Sequence, residues 1–156
     1  MSLAVGTKAP DFKLFNTDKK EISLSDFAGK NLIIQFYPAA FTGVCTAQMC
    51  ESRDELSFYN NMNASVVGVS VDMLFTQVVF KEKNAINFDL LSDFNKRMIH
   101  DYDMYNCNFA FGIKGVAKRG VVVVDKEGVI QYVEVTPSPG DQVNFTALKE
   151  ALEKLK

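Results

Sequence analysis

The stretch Asn31-Leu32-Ile33-Ile34-Gln35-Phe36-Tyr37-Pro38-Ala39-Ala40-Phe41-Thr42-Gly43-Val44-Cys45 passes from one periodicity to another. Asn31–Tyr37 is a short, nearly continuous apolar run, the pattern of a strand buried on both faces. Pro38 ends it, because proline has no N–H to give to a sheet ladder. From about Gly43 to Asn61 the spacing becomes helical. Working outward, Ala64–Val71 reads as a second strand. Gly120–Asp125 and Gly128–Glu134 read as two more, joined as a hairpin at Lys126-Glu127. Further helices are expected near Leu74–Asn84, Asn95–Tyr102 and Gln142–Leu155. The last places Phe145, Leu148, Leu152 and Leu155 on one face. Strand, helix, strand, helix, hairpin, helix predicts an α/β fold: a central sheet of mixed parallel and antiparallel strands, flanked by helices on both faces.

The chain has 156 residues, the size of one domain spanning residues 1–156. At 47% hydrophobic and 23% charged residues, it can bury its own core without disulfides or metals. No apolar run approaches the roughly 20 residues of a membrane span. The net charge of −2 and the absence of a basic stripe argue against a nucleic-acid partner. Met1–Lys8 lacks the basic and apolar regions of a signal peptide, so a cytoplasmic location is expected. In that compartment Cys45, Cys50 and Cys107 stay reduced, and a disulfide is transient and catalytic rather than structural. A single histidine, His100, excludes a Cys2His2 zinc site, and the cysteine spacing matches no usual zinc pattern.

Ligands of open α/β sheets bind at the carboxyl ends of strands, which directs attention to Pro38–Cys45. Thr42 as N-cap puts Cys45 in the first helical turn. There the macrodipole and unpaired N–H groups favour a thiolate, lowering a cysteine pKa from about 8.5 toward 3.5–7.5. The same N–H groups can stabilise charge developing on a substrate oxygen. Cys45 also shares a face with Met49, Leu56 and Tyr59, so it reads equally well as a small buried hydrophobe. Cys50 separates the two readings. It lies about 140° around the helix, beside Arg53, Asp54, Ser57 and Asn61, where core filler is poorly explained. A resolving thiol poised near a reactive one explains it better. Five residues along an ideal helix separate Cα atoms by about 8.6 Å. A disulfide needs roughly 4.4–6.8 Å, so pairing requires the first turn or two to unwind. Cys107 reads as an incidental thiol in a polar loop, His100 as a surface residue and Arg53 as a salt-bridged helix residue. Gln48 is a candidate pocket-lining residue.

Pro38, Thr42 and Cys45 stand in the pattern Pro-x3-Thr-x2-Cys, which resembles the active-site signature of the peroxiredoxins. Gly6–Phe12, Leu24–Lys30, Leu90–Asp93 and Arg119–Asp125 resemble further stretches of that family, in the same order. The Cys-x4-Cys spacing is similar to the bacterioferritin-comigratory (Prx Q) branch, and Ala40–Cys45 to the AhpE-like branch. The resemblance implies a thioredoxin-like fold and a thiol peroxidase that reduces hydrogen peroxide and organic hydroperoxides without metal or organic cofactor. It implies Cys45 as peroxidatic and Cys50 as resolving cysteine, with Arg119 as the active-site arginine. Arg119 and the helix amides favour the thiolate, the Thr42 hydroxyl bonds both sulfur and peroxide oxygen, and Pro38 shields the pocket. Phe41 is placed to line the approach of an organic hydroperoxide. A thioredoxin-like or glutaredoxin-like reductant restores both thiols, and a homodimer is one assembly the family uses. Rival readings are a redox sensor or chaperone built on the same thiolate, a one-cysteine peroxidase with an external resolving thiol, and an inert binding module. A thioredoxin-type oxidoreductase requires Cys-x2-Cys, which is absent.

Overall fold

The computed structural model describes residues 3–155. Lys13–Asn16 (β1) and Glu21–Ser23 (β2) form an antiparallel pair ahead of Asn31–Phe36 (β3). Gly43–Asp54 (α1), Leu56–Asn61 (α2), Ala64–Ser70 (β4) and Leu74–Lys83 (α3) follow. Then come Asp89–Ser92 (β5), Arg97–Asp101 (α4), and the short strands Tyr105–Asn106 (β6) and Val116–Ala117 (β7). Gly120–Val124 (β8), Ile130–Val135 (β9) and Phe145–Glu153 (α5) complete the order.

The seven-stranded sheet runs β2-β1-β5-β4-β3-β8-β9. β3, β4 and β5 are parallel neighbours, while β8 pairs antiparallel with both β3 and β9. The sheet is therefore mixed, as the sequence predicts. Side chains alternate across it. Ile33, Val121 and Val123 face α1, α3 and α5, packing with Met49, Phe80, Leu148 and Leu152. Leu32, Ile34, Val122 and Val124 face the other way, with Met98, Ile99 and Tyr102. Burial on both faces is why Asn31–Phe36 shows no polar alternation.

Gly68 sets how closely α1 approaches the sheet. A Cβ there would lie 3.0 Å from Met49 Sδ and 2.7 Å from Leu90 Cδ2. With only hydrogen at that position, Met49 seats directly on β4, and Cys45, one turn earlier, is carried down toward β3 and β8. No helix among the described residues is long and apolar enough to cross a membrane.

Several expected elements change. The helix over Gly43–Asn61 is interrupted at Glu55, where α1 gives way to α2. The helices at Asn95–Tyr102 and Gln142–Leu155 contract to Arg97–Asp101 and Phe145–Glu153. Asn144 caps the latter, its side chain accepting from Ala147 N at 3.0 Å. β1, β2 and β5 were not expected at all; each has four residues or fewer, too short for a periodicity to register.

Candidate active site

The site forms where the carboxyl end of β3 meets the start of β8. Tyr37 N continues the ladder by donating to Val69 O at 3.1 Å. The chain then turns, held by Ala40 N donating to Asp72 Oδ2 at 2.8 Å. Asp72 is itself fixed by Ser70 Oγ at 2.7 Å, so the end of β4 holds the loop that follows β3. Phe41 takes a left-handed φ of 69°, uncommon for a bulky residue, and this kink delivers the chain into α1. Its ring is half exposed and meets Phe80 edge-on at 5.3 Å.

Thr42 occupies the N-cap position, making Cys45 the third residue of α1. Its side chain does not cap the helix. The hydroxyl donates instead to Ala39 O at 3.0 Å. A hydroxyl commits one hydrogen but keeps acceptor lone pairs. Pro38 is buried at the end of the strand.

Arg119, immediately before β8, sends Nη1 and Nη2 to Cys45 Sγ, each at 3.2 Å. Both residues are buried, Arg119 at 3% and Cys45 at 0% exposure. The rest of the guanidinium is held by neutral acceptors: Pro139 O at 3.2 and 2.8 Å, and Gln48 Oε1 at 2.9 Å. Among the described residues, no carboxylate pairs with it. Gln48 is fully buried one turn after Cys45, and its Nε2 donates to Gln35 Oε1 at 2.7 Å and Phe36 O at 3.2 Å. It therefore positions the arginine, a more specific place than the lining role expected of it. Tyr37 is no candidate base, since burial pushes its hydroxyl well above the ordinary value and keeps it neutral.

Cys45 and Arg119 are thus brought together, with Thr42 at the N-cap of the same helix, and Cys50 is not. Cys45 and Cys50 lie on one unbroken helix and all three cysteines are free thiols. Cys50 is half-buried with Sγ 3.9 Å from Asn84 Oδ1. Arg53 stays away from Cys45; it donates to Asp54 Oδ1 at 2.9 Å and to Asn84 O at 2.6 Å. Cys107 is exposed, and His100 is a surface residue stacked on Tyr105 at 4.1 Å. A groove of roughly 710 Å³ lined by Phe12, Phe15, Leu24 and Phe94 shares no residue with this cluster. Cys45 itself has no exposed surface in this conformation.

The model of the AhpC/TSA family matches residues 5–133. The chain is 32% identical over 156 residues to alkyl hydroperoxide reductase E of Mycobacterium tuberculosis, covering 98% of each protein. It is 36% identical over 146 residues to the mitochondrial thioredoxin-dependent peroxide reductase of Rattus norvegicus, covering 87% of this chain and 55% of that protein. A crystal structure of a peroxiredoxin-like protein from Aquifex aeolicus superimposes with a TM-score of 0.89 at 26% identity, over 100% of this chain and 90% of that one. The chain belongs to the AhpC/TSA family, the peroxiredoxins, with their thioredoxin-like α/β fold, and is an oxidoreductase of the thiol-peroxidase class.

Proposed function

We propose that Cys45 is the peroxidatic residue and that Cys50 resolves it. One observation carries the first assignment: the buried guanidinium of Arg119 has no carboxylate partner among the described residues, and places two N–H groups 3.2 Å from Cys45 Sγ. The fork thus turns two donors of a positively charged group onto one sulfur, the geometry that a nucleophilic thiolate requires. The thiolate attacks the terminal oxygen of hydrogen peroxide or an organic hydroperoxide. The S–O bond forms, the O–O bond breaks, and water or an alcohol leaves with one added proton. Arg119 and the first-turn N–H groups face the charge as it passes from sulfur to the departing oxygen. Thr42 Oγ1, its hydrogen committed to Ala39 O, is free to accept the peroxide hydrogen. Pro38 contributes bulk without an N–H that would compete for substrate.

The Cys45 sulfenic acid then condenses with Cys50, and a thioredoxin-like or glutaredoxin-like dithiol reduces the disulfide. The similarity to a protein named as thioredoxin-dependent supports that class of donor. A reducing compartment such as the cytosol keeps the thiols ready between turnovers. The intact helix between the two cysteines favours a second reading, in which an external thiol resolves Cys45 directly.

Variants separate these readings in an assay coupled to thioredoxin and its reductase. Cys45→Ser abolishes peroxide consumption; retained turnover refutes the peroxidatic assignment. Cys50→Ser permits one oxidation of Cys45 and then stops, whereas undiminished cycling transfers resolution to another thiol. Oxidation that stays stoichiometric in the native protein, with any dithiol donor, identifies a redox sensor instead.

A further inference from the structure

Cys50 is held by a group of contacts that the peroxide chemistry does not use. Asn84 ends α3, where its Nδ2 donates to Phe80 O at 3.0 Å. That bond fixes the amide so that Oδ1 faces Cys50 Sγ at 3.9 Å. A carbonyl oxygen there accepts the S–H of a thiol and offers nothing to a thiolate. The main-chain oxygen of Asn84 receives Arg53 Nη1 at 2.6 Å, which satisfies an acceptor at the helix end. Asn87 Nδ2 donates back to Arg53 O at 3.3 Å. The last turn of α1 is thereby tied to the segment that closes α3.

We propose that Arg53 and Asn84 are positioning residues that dock Cys50 and set the rate at which it is released toward Cys45. The inference rests on the resolving role given to Cys50 above. In the closing step the Cys50 sulfur attacks the Cys45 sulfur. An S–S bond forms, the S–O bond breaks, and the hydroxyl leaves with the Cys50 proton as water. The sulfenic acid is the oxidant, so no other is needed. Because the two thiols lie on one continuous helix, α1 has to unwind between them before they meet, and the contacts at Cys50 and Arg53 oppose that unwinding from its C-terminal side. While it stays docked, a second hydroperoxide converts the Cys45 sulfenic acid to sulfinic acid and is itself reduced to water or alcohol. The clamp therefore divides each oxidation between closure and loss.

Quenched-flow mass spectrometry of the reduced full-length protein mixed with hydrogen peroxide follows the sulfenic, disulfide and sulfinic forms in time. Arg53→Met keeps the alkyl stem and removes the donor. The peroxide-dependent formation of sulfenic acid is unchanged in this variant, while closure accelerates roughly tenfold, as the loss of one charge-assisted hydrogen bond allows. The sulfinic fraction falls, Arg53→Lys restores intermediate closure, and amides of Met49–Asp54 exchange hydrogen faster in Arg53→Met. Closure at the native rate or slower, beside an unchanged sulfenic step, overturns the clamp alone. A native protein that forms the sulfenic acid but never the Cys45–Cys50 bond overturns the resolving reading and the clamp with it.

Discussion

A guanidinium buried without a carboxylate is expensive unless something nearby carries negative charge. Among the described residues Arg119 is in that position, and its fork fits a single sulfur from two directions. Arg119→Ala is expected to slow the peroxide step about 10²-fold, the usual loss when one donor to a developing charge is removed. Arg119→Lys recovers part of that, because lysine supplies a point charge and not the planar pair of donors. Single-turnover kinetics of sulfenic acid formation measure both, and native rates in Arg119→Ala exclude the residue from the site. At this scale the sequence was uneven. Cys45 and Arg119 were legible through their surrounding motifs. Gln48 was visible only as a candidate for the pocket, because a glutamine inside a helix carries no sign that it holds an arginine. Thr42 was read correctly as the N-cap position, but not its hydroxyl's partner in this structure: a hydroxyl at a helix start can cap the helix or bond a nearby carbonyl, and here it donates to Ala39 O.

Among the elements, the β8–β9 hairpin matters most, since Arg119 precedes its first strand. Its turn is organised by Asp125, whose Oδ1 accepts from Glu127 N at 2.9 Å and Val129 N at 3.0 Å. Oδ2 accepts from Gln131 Nε2 at 2.7 Å. Burial pushes this carboxyl up, but these donors and Lys8 together outweigh it and hold it below its ordinary value of 3.8. Folding thus favours the anion. Its contribution is complete above the ordinary carboxylate range and disappears as pH falls through the lower folded value. Asp125→Ala is expected to cost about 1–3 kcal/mol at neutral pH in urea unfolding, with the difference from native shrinking at strongly acidic pH. A difference that stays constant into acid contradicts the role of the charge. The hairpin, β3 and β4 were legible because their apolar runs are long enough to declare themselves. β5, with four residues, was not, and the break at Glu55 was hidden because α1 and α2 both have helical spacing.

For the whole molecule, strand order does what sequence spacing cannot. β8 enters beside β3 with Gly120 opposite Phe36, which sets Arg119 against the chain just beyond β3. Cys45 and Arg119 meet although 74 positions separate them. No periodicity foretells that meeting; only the likeness of several motifs to one family did. The burial of Cys45 was one of the two readings its helical face offered, beside Met49, Leu56 and Tyr59. The account stands on the oxidation of that one sulfur and its capture by Cys50. Treating the reduced protein with a single equivalent of hydrogen peroxide and mapping its thiols by mass spectrometry tests this most directly. The expected product is an intramolecular Cys45–Cys50 disulfide with Cys107 still a thiol, and Cys45 recovered as an unreacted thiol while the peroxide disappears would contradict it.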